Sequence, residues 1–205
     1  DIDQCNNSTF TMAANTPTVG TGTWSEVGGP AGITITNANS ATTTVTGLAA
    51  GSSATLRWTI SNGNCTASTD DVIITNDVQP TANAGTGGDI CGIGVGNPFT
   101  FSATAATGTG TWSLTSGPGT PTYGNVNVET TTVSVDTYGT YVFRWTDVNG
   151  TCSDFDEITV NFYEDPTVAA AGADIDQCNN STFTMAANTP TVGTGSWSQV
   201  AGPAV

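Results

Sequence analysis

Histidine and lysine are absent from the 205 residues, and the only cationic side chains are Arg57 and Arg144. Without an imidazole or a primary amine in the side chains, most nucleophilic and general-base chemistry has no residue to run on. The cysteines likewise lack a histidine that would hold them as thiolate nucleophiles. Lysine–asparagine cross-links are impossible, and no Asp-Thr/Ser-Gly motif points to an aspartic protease. Seventeen acidic residues against two arginines give a net charge of −15, which excludes a nucleic-acid partner, because phosphate binding needs a basic surface. No apolar run reaches the roughly 20 residues of a membrane-spanning helix, so no membrane insertion is expected of this segment. No stretch carries helical periodicity. The residues from Asp1 show no signal-peptide or lipidation pattern, as expected of a segment from the interior of a longer protein.

What is present in quantity is repetition. Residues 1–31 return as residues 174–204, with changes only at Thr23/Ser196, Glu26/Gln199 and Gly28/Ala201. A shorter period lies inside this one. Cys5, Cys91 and Cys178 are each followed by a Gly-Thr/Ser-Trp-Ser stretch around Trp24, Trp112 and Trp197, and Arg-Trp-Thr recurs at Arg57–Thr59 and Arg144–Thr146. The unit is therefore roughly 87 residues long. Three segments result: 1–78, a sandwich lacking its N-terminal edge; 79–165, a complete one; and 166–205, the first strands of a third.

Glycine, asparagine and proline punctuate short alternating runs, the pattern of an all-β sandwich. Residues 8–14 place Phe10 and Met12 on one face, and residues 21–27 form a strand centred on Trp24, closed by Gly28-Gly29-Pro30. Ile33 and Ile35 alternate with threonines, and residues 42–46 are β-branched. In residues 54–60, Ala54, Leu56, Trp58 and Ile60 share one face, and Asn62-Gly63 marks a hairpin. Tyr141, Phe143, Trp145 and Asn149-Gly150 repeat that arrangement. Two tryptophans per unit, one expected on each sheet, make the centre of the core: Trp24 and Trp58, then Trp112 and Trp145, with Trp197 opening the third repeat.

Cys5 to Cys65 and Cys91 to Cys152 enclose loops of nearly equal size at equivalent places, which predicts one disulfide per domain in an oxidising, extracellular setting. Cys178 then has its partner outside the chain, beyond Val205, with an intermolecular disulfide as the alternative. Arg57 is expected to clamp Asp70 or Asp71 across a strand pair, and Arg144 to clamp Asp154 or Asp156. The clustered carboxylates otherwise read as solvated side chains.

Two proline-containing stretches, residues 78–85 and 165–172, are short stiff connectors that lead directly into the next unit. Asp77 and Asp89 flank the first connector, and Glu164, Asp165, Asp174 and Asp176 flank the second. Calcium is the one cofactor these hard oxygen ligands suggest, bound between domains to stiffen the joint; no cofactor is required. Asn6, Asn7, Asn64, Asn149, Asn179 and Asn180 fit the Asn-x-Ser/Thr acceptor pattern.

At Trp24-Ser25-Glu26-Val27-Gly28-Gly29-Pro30, Asn37-Ala38-Asn39-Ser40-Ala41 and Gly139-Thr140-Tyr141-Val142-Phe143-Arg144-Trp145-Thr146, the chain resembles the PKD and receptor-for-egg-jelly group of immunoglobulin-like domains. Ala54 stands where that pattern has a tyrosine. The added cysteines and threonine-rich, lysine-poor repeats resemble giant tandem-repeat surface adhesins of Bacteroidota, including type IX secreted gliding adhesins. The resemblance implies a non-catalytic segment of a long extracellular stalk on a bacterial cell surface. Its expected partners are neighbouring repeats of the same protein, with surface glycans or cell-surface proteins as further candidates. Alternative expectations are a carbohydrate- or protein-binding module, or a filament subunit completed by a neighbouring chain.

Overall fold

The computed structural model describes residues 1–93 and 96–202; the last three residues of the expected third segment lie outside the described residues. The first unit runs β1 (Ile2–Cys5), β2 (Thr9–Ala13), β3 (Thr21–Gly28), β4 (Thr34–Ile35), β5 (Thr42–Thr46), β6 (Ser52–Ser61) and β7 (Ser68–Asp77). The second runs β8 (Gly88–Cys91), β9 (Phe99–Thr100), β10 (Thr109–Ser116), β11 (Pro121–Tyr123), β12 (Thr132–Val135), β13 (Gly139–Asn149) and β14 (Cys152–Tyr163). Each has a four-stranded sheet, β1-β7-β6-β3 or β8-β14-β13-β10, and a three-stranded one, β2-β5-β4 or β9-β12-β11. These are tandem immunoglobulin-like β-sandwiches, all-β throughout. No strand is formed among the described residues beyond Tyr163.

The period of two sets which side chains meet. Ala54, Leu56 and Trp58 of β6 are buried together with Phe10, Met12, Val45, Leu48 and Ile74 in one core. In the second core Tyr141, Phe143 and Trp145 of β13 meet Phe101, Trp112, Val133 and Phe162. The expectation of one tryptophan on each sheet is corrected by the strand register: Trp24 pairs directly with Trp58, and Trp112 with Trp145, across neighbouring strands of the same sheet. The ring centroids are 5.2 Å apart in both pairs. Glycine makes this packing feasible, because a Cβ at Gly22 or Gly110 would overlap the six-membered ring of Trp58 or Trp145. Trp197 is 54% exposed, since no strand equivalent to β6 faces it among the described residues.

Two buried polar residues tie loops to these cores. Asp147, 1% exposed, accepts the backbone N–H of Thr107 at 2.6 Å and of Gly108 at 3.1 Å. Asn76 accepts the Asn7 N–H at 2.9 Å and donates to the Leu48 carbonyl at 2.8 Å. The Tyr141 hydroxyl donates to the Thr137 carbonyl at 2.7 Å, a tie that Ala54 cannot make in the first unit. Burial pushes the Tyr123 phenol up to about 12.

The strand edges of the first unit include part of β7 as well as the outer strands of each sheet. β1 runs parallel to β7 and covers only its last part, from Ile74 to Asp77. The first half of β7 is therefore an uncovered edge, and β2 is the edge of the opposite sheet.

Candidate functional site

The site is the joint between the two units. β1 ends at Cys5 beside Asp77, where β7 leaves the first sandwich. The β13–β14 turn, Gly150-Thr151 between paired Asn149 and Cys152, is the tip of the second sandwich that reaches this point. Glycine at the first central position favours such a two-residue turn because that position takes positive φ, and Gly150 has φ 58°. A side chain at Gly150 would also collide with the Asp77 carboxylate.

Cys5 is bonded to Cys152, with the Cα atoms 4.9 Å apart. This corrects the expected pairs Cys5–Cys65 and Cys91–Cys152. The reason is strand length. Cys65 precedes β7 and Cys5 lies opposite its end; ten residues of strand at about 3.3 Å each separate them by on the order of 30 Å, against a disulfide reach of about 7 Å. Cys91 lies opposite Tyr163, at the end of the twelve-residue β14 that Cys152 begins. Cys65, Cys91 and Cys178 are free and exposed.

Around the disulfide, polar contacts close the joint. Asp77 Oδ2 accepts from the Thr151 backbone N–H at 2.7 Å and from its hydroxyl at 2.9 Å. Asn149 donates its side-chain amide to the Val78 carbonyl at 2.9 Å, and Gln79 donates to the Ser153 carbonyl at 3.0 Å. Residues 78 and 79 are thus both tied to the hairpin of the second unit.

The predicted acidic sites fall elsewhere. Asp77 is engaged with Thr151, and Asp89 accepts from the Asn161 amide at 2.8 Å near the opposite end of the second unit; the two are not brought together. No group of three or more potential metal ligands, whether from these or from Glu164, Asp165, Asp174 and Asp176, converges among the described residues.

Arg57 forms a two-pronged pair with Asp71, Nε to Oδ1 at 2.7 Å and a terminal nitrogen to Oδ2 at 2.8 Å. In the second unit Arg144 is bound to Glu157 at 2.7 Å, not to Asp154 or Asp156, because Glu157 lies directly opposite it in the register. Its guanidinium also sits 3.9 Å from the centroid of the Phe155 ring. Asp154 and Asp156 instead accept backbone N–H bonds from Ala82 and Ala84, both at 2.9 Å.

The hydrogen bonds from Arg57 hold Asp71 below the ordinary carboxylate value, and those from Arg144 and Thr115 do the same for Glu157. Because the folded values lie below the unfolded ones, the stabilisation is present above the usual carboxylate range and is lost as pH falls through the depressed values. Urea midpoints measured from neutral pH to below about 4 should fall more steeply for the native protein than for Arg57→Gln. The difference should be small, since these pairs are exposed.

No protein-family model matches the chain, and no curated protein matches it in sequence. Solved structures resemble it weakly. Mouse cadherin-23 EC22-24 aligns over 91% of this chain and 73% of its own at 11% identity and a TM-score of 0.37. The human desmocollin-1 ectodomain aligns over 83% and 41% at 10% identity and a TM-score of 0.37, and titin domains I67-I69 over 81% and 64% at 14% identity and a TM-score of 0.43. The chain spans less than two thirds of the last two. Likeness at this level assigns no function.

Proposed function

We propose that this chain is a non-catalytic segment of a long extracellular stalk or adhesin, a linear array of disulfide-locked sandwiches of the kind found on bacterial cell surfaces. The observation that supports this most directly is the Cys5–Cys152 bond, which joins two units and not two ends of one. The equivalent positions recur: Cys91 ends β8 as Cys5 ends β1, and Cys65 follows the Asn62-Gly63 turn as Cys152 follows Asn149-Gly150. Each sandwich therefore presents one cysteine at each end, in the arrangement needed to repeat the same joint along an array. A persistent disulfide fits an oxidising compartment outside the cytosol. The acidic, lysine-free surface keeps parallel arrays apart by like-charge repulsion. The PKD-like landmarks around Trp24 and Tyr141 favour the Bacteroidota adhesin version of this reading.

Electron microscopy of the native, unreduced protein should show thin beaded fibres with one bead per repeat. Compact globules would sink the proposal.

A further inference from the structure

Asparagine followed by glycine occurs at two places in the chain, Asn62-Gly63 and Asn149-Gly150, each ending two residues before a cysteine. The pair is chemically reactive, because no side chain on the glycine hinders approach to its nitrogen. That nitrogen attacks the asparagine Cγ: the new N–Cγ bond forms, the Cγ–Nδ2 bond breaks, ammonia leaves, and a succinimide ring remains. Water then opens the ring at one carbonyl to give aspartate, or at the other to give isoaspartate, in which the main chain runs through the side-chain carbon. Water is the only co-reactant.

The backbone at the two sites is alike, with φ 55° at Gly63 and 58° at Gly150, but the surroundings differ. A Cβ on Gly63 would meet nothing within 4 Å, whereas one on Gly150 would collide with the Asp77 carboxylate. Asp77 is held there by the Thr151 backbone N–H at 2.7 Å and hydroxyl at 2.9 Å. The Asn149 amide, which would have to turn onto the Gly150 nitrogen, is tied to the first unit by its 2.9 Å bond to the Val78 carbonyl. Attack also requires the Gly150 nitrogen to give up its proton, and a carboxylate beside it disfavours the negative charge that results. The interdomain joint therefore covers the reactive pair sterically, by hydrogen bonding and by charge.

We propose that Asn149 is a self-modification site guarded by the joint. While the joint is closed the asparagine stays intact; when it opens, Asn149-Gly150 forms the succinimide, and the product keeps the joint from closing again. A carboxylate at position 149 has no N–H to donate to the Val78 carbonyl and adds a negative charge to a joint that already holds Asp77. Isoaspartate also lengthens the main chain at the turn that seats Thr151. The site thus turns a transient opening into a permanent one.

The test is peptide mapping by mass spectrometry of the full 205-residue chain, incubated unreduced at mildly alkaline pH, with loss of the amide followed at both pairs. Asn149 is expected to convert about tenfold or more slowly than Asn62, because the Asn149 and Thr151 hydrogen bonds must open first. Cys5→Ser, which leaves the hairpin sequence unchanged, and Asp77→Ala should each bring Asn149 towards the Asn62 rate. Asn149→Asp, with the disulfide intact, should speed amide exchange at Thr151. Equal rates at the two pairs in the native chain, or an Asn149 that reacts no faster in either variant than in the native chain, overturns the guarding role; unchanged exchange in Asn149→Asp overturns the permanent opening. None of these outcomes depends on whether longer arrays form.

Discussion

Replacing Cys152 with serine is expected to release the two sandwiches from one another while leaving each folded. The bond closes a loop with a sequence separation of 147, and on the chain-entropy model such a closure is worth about 4–5 kcal/mol to the folded pair. Since both cores are built entirely within their own units, the loss should appear as separate unfolding transitions and as faster amide exchange at Gln79 and Thr151. Cys5→Ser should reproduce the effect and Cys65→Ser should not. Equal effects of Cys5→Ser and Cys65→Ser would mean that the pairing is within the domain. Peptide mapping without reduction gives a second check, with Cys5 and Cys152 expected in one cross-linked fragment.

Trp145→Ala should cost about 3–5 kcal/mol, the range for deleting a large buried aromatic side chain. Trp145 is 1% exposed, packs tilted against Trp112 and fills the space left by Gly110. Its indole nitrogen has no hydrogen-bond partner, so the loss is one of packing and not of a polar contact. Urea denaturation should show the second unit unfolding early and the first unit unchanged. Trp197→Ala, at a site half open to solvent, should shift stability by less than about 0.5 kcal/mol. A comparable loss from both substitutions would contradict a second core centred on Trp112 and Trp145.

Strands with strong alternation were legible in the sequence, residues 54–60 above all, because one buried face imposes a period of two. The short parallel strand β1 was not: Ile2–Cys5 has little alternation, and its partner lies some seventy positions away. The disulfide expectation failed for a related reason. Equal loop sizes along the chain say nothing about direction in space, and a long strand carries its two ends to opposite poles of a sandwich. Pairing of Arg144 with Glu157 follows from counting outward from the two-residue turn between Asn149 and Cys152, a signal that the amino-acid order itself carries. Asp147, at a position where the first unit has Ile60, gave no such signal; its burial depends on a loop that folds back to donate two N–H groups.

The parallel pairing of first and last strands has a mechanical consequence. A chain that enters a sandwich along β1 and leaves along β7, or enters along β8 and leaves along β14, is pulled in opposite senses at the two ends of one ladder. Tension then slides the two strands past each other and loads their slanted hydrogen bonds together, so that the ladder resists as a group and does not unzip bond by bond. The Cys5–Cys152 bond overrides that path while it is intact: tension entering along β1 passes straight into β14, so that β7, the connector and β8 are relieved, and the ladders take the load only once the bond is reduced.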